Sequence, residues 1–138
     1  MLPFPEGLLF HREHTWIRAE SFESGNRYRI GLDTIFIQDI RTVTHLDLPN
    51  EGDEISQDEV CGLIRGKDSK KLLFAPLSGE IIDVNLELHE EPDVIREDPY
   101  GIGWLLLLDP ADIEEEIQYL LSGDEAVNWW KSELNIRK

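Results

Sequence analysis

Short apolar or alternating segments recur along the chain, each closed within a few residues by Gly, Pro, Asn or Asp, and this rhythm predicts antiparallel β structure through its centre. Thr15-Trp16-Ile17-Arg18-Ala19-Glu20 runs into Ser21 to Asn26, where Gly25-Asn26 predicts a turn, and Arg27-Tyr28-Arg29-Ile30-Gly31-Leu32 follows with period-two alternation. The two segments pair as a hairpin. Further strands are expected at Val43 to Leu48, Val60 to Ile64, Leu72 to Ala75, Glu80 to Asn85 and Trp104 to Leu108, with a helical turn and loop over Glu87 to Tyr100.

The pattern changes near residue 110. Asp109-Pro110 offers a cap followed by a proline at the first helical position, where its missing N–H costs nothing. Ile113, Ile117, Leu120 and Leu121 then mark one helical face, and Gly123 is the expected stop. Ala126, Val127, Trp129, Trp130 and Leu134 predict a second short helix that lays aromatics on the sheets. The expected whole is one domain over residues 1–138 with short C-terminal helices from about 110. At 138 residues such a chain buries a core without help from a metal or disulfide.

Charge and cysteine usage narrow the function. Thirteen Lys and Arg against 29 Asp and Glu give a formal net charge of −16, which repels phosphate backbones and anionic membrane surfaces. Nucleic acid and membrane are therefore not expected partners; other proteins are. Cys61 is the only cysteine, so no internal disulfide forms. The N-terminal residues lack the basic segment and long apolar core of a secretory signal, and Trp104 to Leu108, the longest apolar run, is too short to span a bilayer. The cytoplasm is the expected compartment.

Read in order, these pieces resemble the glycine cleavage system H proteins, lipoyl carriers of the biotinyl/lipoyl-attachment type. The resemblance runs through His14-Thr15-Trp16-Ile17-Arg18, the spacing from Gly31 to Leu48-Pro49, and Gly52-Asp53-Glu54-Ile55. It continues through Pro76-Leu77-Ser78-Gly79-Glu80-Ile81-Ile82-Asp83-Val84-Asn85, Pro92-Asp93-Val94-Ile95 and Glu97-Asp98-Pro99-Tyr100-Gly101-Ile102-Gly103-Trp104. It implies an all-β barrel-sandwich hybrid, a carrier rather than an enzyme, lipoate in amide linkage to one lysine, and partners among the decarboxylase, aminomethyltransferase and dihydrolipoyl dehydrogenase of that system.

The lysine is where the chain departs. Counting back from Pro76 or forward from Gly62, the position matching the family's lipoyl lysine is Asp68, and a carboxylate cannot form that amide. Arg65 stands where the family has an acid, and Ile40-Arg41-Thr42-Val43 where it tends to have Leu-Gly-Asp-Ile. Two readings follow. In the first, which the counting favours, the chain holds no cofactor and acts as a binding, regulatory or scaffold protein. In the second, Gly66 takes a left-handed conformation, the turn shifts, and Lys67 reaches the tip and carries lipoate. Alternation does not pin the register, because Val60 to Ile64 and Leu72 to Ala75 are apolar almost throughout. Asp68-Ser69 is the better turn chemistry, which again favours the first.

Residues 65 to 71 also concentrate basic charge. Arg65, Lys67, Lys70 and Lys71 form a candidate surface for an acidic partner, against the alternative of a solvated loop that keeps a sheet edge soluble. Elsewhere the chemistry is thin. His11 and His14 lie in a segment that reads as extended, where residues three apart face opposite ways, so His14 is expected to hydrogen-bond within the fold rather than share a metal. His45 alternates with apolar neighbours, His89 falls in a loop, and neither has a visible metal partner. Glu114-Glu115-Glu116 reads as a solvated helix face, Cys61 as a buried inert thiol, and Trp16, Trp104, Trp129 and Trp130 as core or helix-docking residues.

Overall fold

The computed structural model describes residues 2–137. Strand β1 (Leu9–Phe10) pairs with β2 (Thr15–Phe22), and β2 with β3 (Gly25–Leu32), in an unbroken antiparallel register from Thr15↔Leu32 to Phe22↔Gly25. The turn is therefore Glu23-Ser24, and Gly25-Asn26, expected within it, begins β3. Gly25 still serves the turn: its φ of +122° is open to glycine and lets the chain re-enter the ladder directly.

Two open sheets face each other. The larger has the order β1-β2-β3-β9-β8-β5, with β5 at Glu54–Ile55, β8 at Gly79–Val84 and β9 at Leu106–Pro110. The smaller is β4 (Val43–Asp47), β6 (Val60–Gly66) and β7 (Lys70–Phe74), in the order β4-β6-β7. Ile17, Ile30, Leu32, Ile64, Leu73, Ile81, Leu106 and Leu108 pack between them, each no more than 1% exposed. The apolar run that ends in β9 is explained by position: that strand sits inside the sheet between β3 and β8. The barrel-sandwich expectation holds, with sheets that do not close. No helix among the described residues is long and apolar enough to cross a membrane.

The helices depart from expectation in informative ways. Asp109-Pro110 does not open a helix; β9 runs through it, with Gly79 opposite Pro110 and Glu80 opposite Asp109. A side chain at Gly79 would lie 2.1 Å from the Asp109 carbonyl oxygen, so glycine there admits the close pairing that keeps both residues in the sheet. Asp112 caps instead, accepting from Glu115 N at 3.4 Å, and α4 is only Ile113–Glu116 before a 3-10 turn at Ile117–Tyr119. Leu120 is extended and Leu121 pairs with Phe10, so the four apolar residues expected on one helical face do not share a helix. Gly123 does not stop a helix but opens α5 (Gly123–Ile136), longer than the short helix expected. Between β8 and β9, α2 (Glu87–Glu90) and α3 (Val94–Glu97) replace the expected helical turn and loop, and His89 belongs to α2 rather than to a loop.

One helix escaped the sequence reading altogether: α1 (Thr34–Gln38), capped by Asp33, whose carboxylate accepts from Phe36 N at 2.9 Å. The Asp-Thr pair is an N-cap signal, but five residues are too few to show a helical period.

The aromatic prediction is borne out. Trp130 on α5 packs against Phe4 and Phe10 at centroid distances of 5.3 and 5.9 Å, and fully buried Trp16 donates from Nε1 to the Leu32 carbonyl at 2.9 Å. Trp104 lies beneath the Arg29 guanidinium at 4.3 Å and Trp129 stacks on the His14 ring at 4.8 Å. Gly31 faces Trp16 so closely that a Cβ there would come within 2.3 Å of the indole ring. Gly31→Ala is expected to lower stability by about 1–3 kcal/mol, since the indole is hemmed in and cannot yield cheaply. Denaturant unfolding measures this; an unchanged midpoint would show that the Trp16 packing is looser than described.

Candidate functional site

The hairpin of β6 and β7 carries the residues singled out in the sequence. Its upper part pairs Gly62↔Leu73, Leu63↔Leu72, Ile64↔Lys71 and Arg65↔Lys70, and Gly66 N donates to the Ser69 carbonyl at 2.7 Å. The apex is therefore the two residues Lys67 and Asp68. Neither turn expected from sequence occurs: the tip is not Asp68-Ser69, and Lys67 needs no left-handed Gly66 to reach it. Gly66 remains the last residue of β6 without a positive φ, and its missing side chain serves packing, because a Cβ there would lie 2.8 Å from Thr42 O and 2.9 Å from Ile40 Cγ2.

A bulge sets this apex. At the base Val60 faces Phe74, but one step on Gly62 faces Leu73, so Cys61 is an extra residue on β6. Carried to the tip, the lower register would set Gly66 opposite Asp68 and leave Lys67 alone at the summit. The extra residue moves the partner of Gly66 to Ser69 and makes the summit a pair. Cys61 itself is half-buried, and burial pushes its thiol up to about 12, in keeping with the inert thiol expected.

The four basic residues divide between faces. Arg65 and Lys70 are cross-strand partners, both exposed on the outer face, and Lys67 is exposed at the apex. None of the three makes an ion pair among the described residues. Lys71 is different. Its register partner Ile64 is fully buried, and Lys71 lies on that inner side with Nζ 4.3 Å from the Phe36 ring centroid and 3.1 Å from Asp39 Oδ2. Asp39, at the C-terminus of α1, also receives the Arg137 guanidinium at 2.8 Å. Burial alone would raise the Asp39 carboxyl, but hydrogen bonds and charge from Arg137 and Lys71 hold it below its ordinary value. A 590 Å³ cavity lined by Asp39, Arg41, Thr42, Lys67, Asp68 and Ser69 lies beside the apex.

The histidines form no shared site. The His11 to His14 segment is a tight turn, not extended: His14 N donates to the His11 carbonyl at 2.9 Å and His14 has φ +74°. His11 Nε2 is 2.7 Å from Asp58 Oδ1, whereas His14 places Nδ1 2.8 Å from Asp33 Oδ2 and Nε2 2.5 Å from Glu133 Oε1. The expected hydrogen bonding of His14 within the fold is thus borne out. Burial pushes the Asp33 carboxyl above its ordinary value, opposed by the hydrogen bond from His14. His45 pairs with Asp47 on the surface at 2.7 Å. Glu116 is not merely solvated, since Ser78 donates to it from both N and Oγ, at 2.7 and 2.6 Å. Among the described residues no group of three or more His, Cys, Asp or Glu is placed to hold a metal ion.

Comparison with known proteins gives one answer. The family model described as glycine cleavage H-protein matches residues 8–133. A glycine cleavage system H protein of Halalkalibacterium halodurans is 31% identical over 125 residues, covering 91% of this chain and 94% of that protein. One from Carboxydothermus hydrogenoformans is 34% identical over 121 residues, covering 88% and 89%. The crystal structure of a glycine cleavage system H protein from Mycobacterium marinum superposes with a TM-score of 0.81 at 26% identity, over 93% of this chain and 99% of that one.

The Asp39 cluster roots the hairpin, and its pH dependence follows from the depressed carboxyl. A carboxyl lowered in the folded state adds stability that is present above its unfolded value and lost as pH falls through the folded one. Asp39→Asn is expected to cost about 1 kcal/mol near neutrality, the scale of a partly exposed, multiply hydrogen-bonded pair. The gap between variant and parent should close as pH falls below about 4. Unfolding curves across pH check this; a gap that stayed constant into acid would remove Asp39 from the ionic role.

Proposed function

Because the chain belongs to the glycine cleavage H-protein family, we propose that it is a swinging-arm carrier whose arm is attached at Lys67, not at residue 68 where counting places the family's lysine. The observation that carries this is the two-residue apex: Lys67 stands at the summit beside Asp68, exposed and without an ion-pair partner among the described residues. Attachment requires an exposed primary amine that can reach an activated acyl carbon and hold the resulting amide clear of the body of the protein. Lys67 meets those requirements and Asp68 meets none of them.

Arg65 and Lys70 flank the summit from one face, and Lys71, one residue further down β7, anchors the upper hairpin from the other. The ladder below Lys67 therefore presents it on a supported hairpin rather than a loose loop. When attached, lipoate would be held by Lys67 in amide linkage and would supply a dithiolane on a long flexible tether for carrying a one-carbon amino group between enzymes. The chain's own part is to hold, present and dock; the partners are the enzymes of the glycine cleavage system, and the catalysis is theirs.

A second reading, in which the chain holds no cofactor and acts as a regulator or scaffold, is favoured by Asp68 at the matched position and by Arg65 in place of an acid. Intact mass after expression in a lipoate-competent host separates the two. The carrier reading expects an increase of one lipoyl group that Lys67→Arg abolishes and Lys70→Arg leaves in place. An unmodified parent protein would overturn it in favour of binding alone.

A further inference from the structure

The outer face of the β4-β6-β7 sheet carries its free cations at the apex end of β6 and β7. Nearest the apex lies a row of His45, Arg65 and Lys70, set opposite one another by register. The next row sets Asp47, Leu63 and Leu72 opposite one another, with Asp47 held 2.7 Å from His45 Nε2 and Leu72 49% exposed, and Val60 is exposed to 51% beyond the bulge. On β6 and β7 this leaves an unpartnered apolar shelf with Arg65 and Lys70 at its lip, bordered on β4 by the His45–Asp47 pair.

The lip is not an accident of local composition. Among the described residues the basic side chains without an ion-pair partner are Arg12, Arg41, Arg65, Lys67, Lys70 and Lys131. Arg65, Lys67 and Lys70 are neighbours on the hairpin, and Arg41 lines the apex cavity together with Lys67. The remaining described cations, Lys71 among them, are matched to carboxylates. In a chain of net charge −16, four of these six unpaired cations are thus gathered around one hairpin apex.

We propose that this face, Arg65 and Lys70 over Val60, Leu63 and Leu72, is the docking surface for a partner enzyme that carries carboxylates around the mouth of its active site beside an apolar ledge. Charge sets the approach. Beyond a Debye length of about 8 Å the acidic body is screened, so only the leading end is felt at contact, and on an acidic partner that end is attracted while any other orientation is repelled. The apolar row behind it supplies the contact that charge alone does not.

Size argues against a second copy of this chain. Three strands about 4.8 Å apart and five residues long present roughly 14 × 17 Å, on the order of 240 Å², well short of the ~800 Å² per partner of a stable pair. Two copies would also bring like net charges together. A brief encounter with a larger protein fits that area; a dimer does not.

The surface rests on the family's enzymes being the partners but not on loading of Lys67, so the test uses unmodified protein. The probes are the purified decarboxylase, aminomethyltransferase and dihydrolipoyl dehydrogenase of the glycine cleavage system from the same genome, each titrated by surface plasmon resonance at low and high salt. Binding to at least one is expected, weakening as salt rises. Arg65→Glu with Lys70→Glu should weaken that binding tenfold or more, mostly through the association rate, and Leu72→Ser should weaken it several-fold through dissociation. Lys131→Glu, an exposed reversal on α5, should stay within twofold. Thermal unfolding confirms that each variant is folded, as expected for exposed positions. No binding to any of the three, equal loss with Lys131→Glu, a charge-reversed variant that binds like its parent, or salt-dependent self-association of the parent in sedimentation would each overturn the proposal. Loss of the lipoyl mass in the separate expression experiment would leave these readouts untouched.

Discussion

A carboxylate with no exposed surface organises this molecule. Asp33 is fully buried, and it is held by the His14 imidazole and by the N-terminus of α1. A buried carboxylate without such partners costs several kcal/mol, so the placement of Asp33 obliges the chain to bring both groups to it. His14 in turn reaches Glu133 on α5, which ties the β1–β2 turn, the first helix and the last helix to one point. From there the order propagates. Ile35 of α1 enters the aromatic cluster of Phe4, Phe10, Trp16 and Trp130, while Phe36 and Ile37 enter the core between the sheets. Asp39 closes the helix and holds Lys71 and Arg137, so one turn of helix links the buried Asp33 carboxyl to the upper part of the exposed hairpin.

The hairpin shows how little separates a structural detail from a functional one. The same strand alternation that buries Ile64 and Leu73 turns Arg65, Lys70 and Leu72 outward. The inward lysine, Lys71, is consumed in packing over Phe36, and the outward cations remain free to meet a partner. Four basic residues that look equivalent in sequence thus have different surroundings, Lys71 on the inner side of the pleat, Arg65 and Lys70 on the outer side and Lys67 at the apex.

What the sequence made legible follows from the range of the forces involved. The β2–β3 hairpin and the strand positions were readable because alternation and turn residues act over a few positions. The aromatic docking of α5 was readable because Trp129, Trp130 and Ala126 are bulky or small in a helical pattern. Asp109-Pro110 misled because its local capping preference was overridden by pairing with β8, which depends on the absence of a side chain at Gly79. The partners of His14 stand 19 and 119 residues away, beyond any local signal. At the site itself, the family and the hairpin were legible, but the apex was not: the bulge at Cys61 lies in a run that is apolar on both sides, so nothing in the pattern marks the extra residue.

That bulge separates position along the chain from position in space at the hairpin tip. Position along the chain points to residue 68, and position in space offers adjoining seats to residues 67 and 68. An apex with two seats is degenerate: a side chain at either position leaves the ladder at the same height. Gain or loss of one unpaired strand residue then decides which seat stands highest.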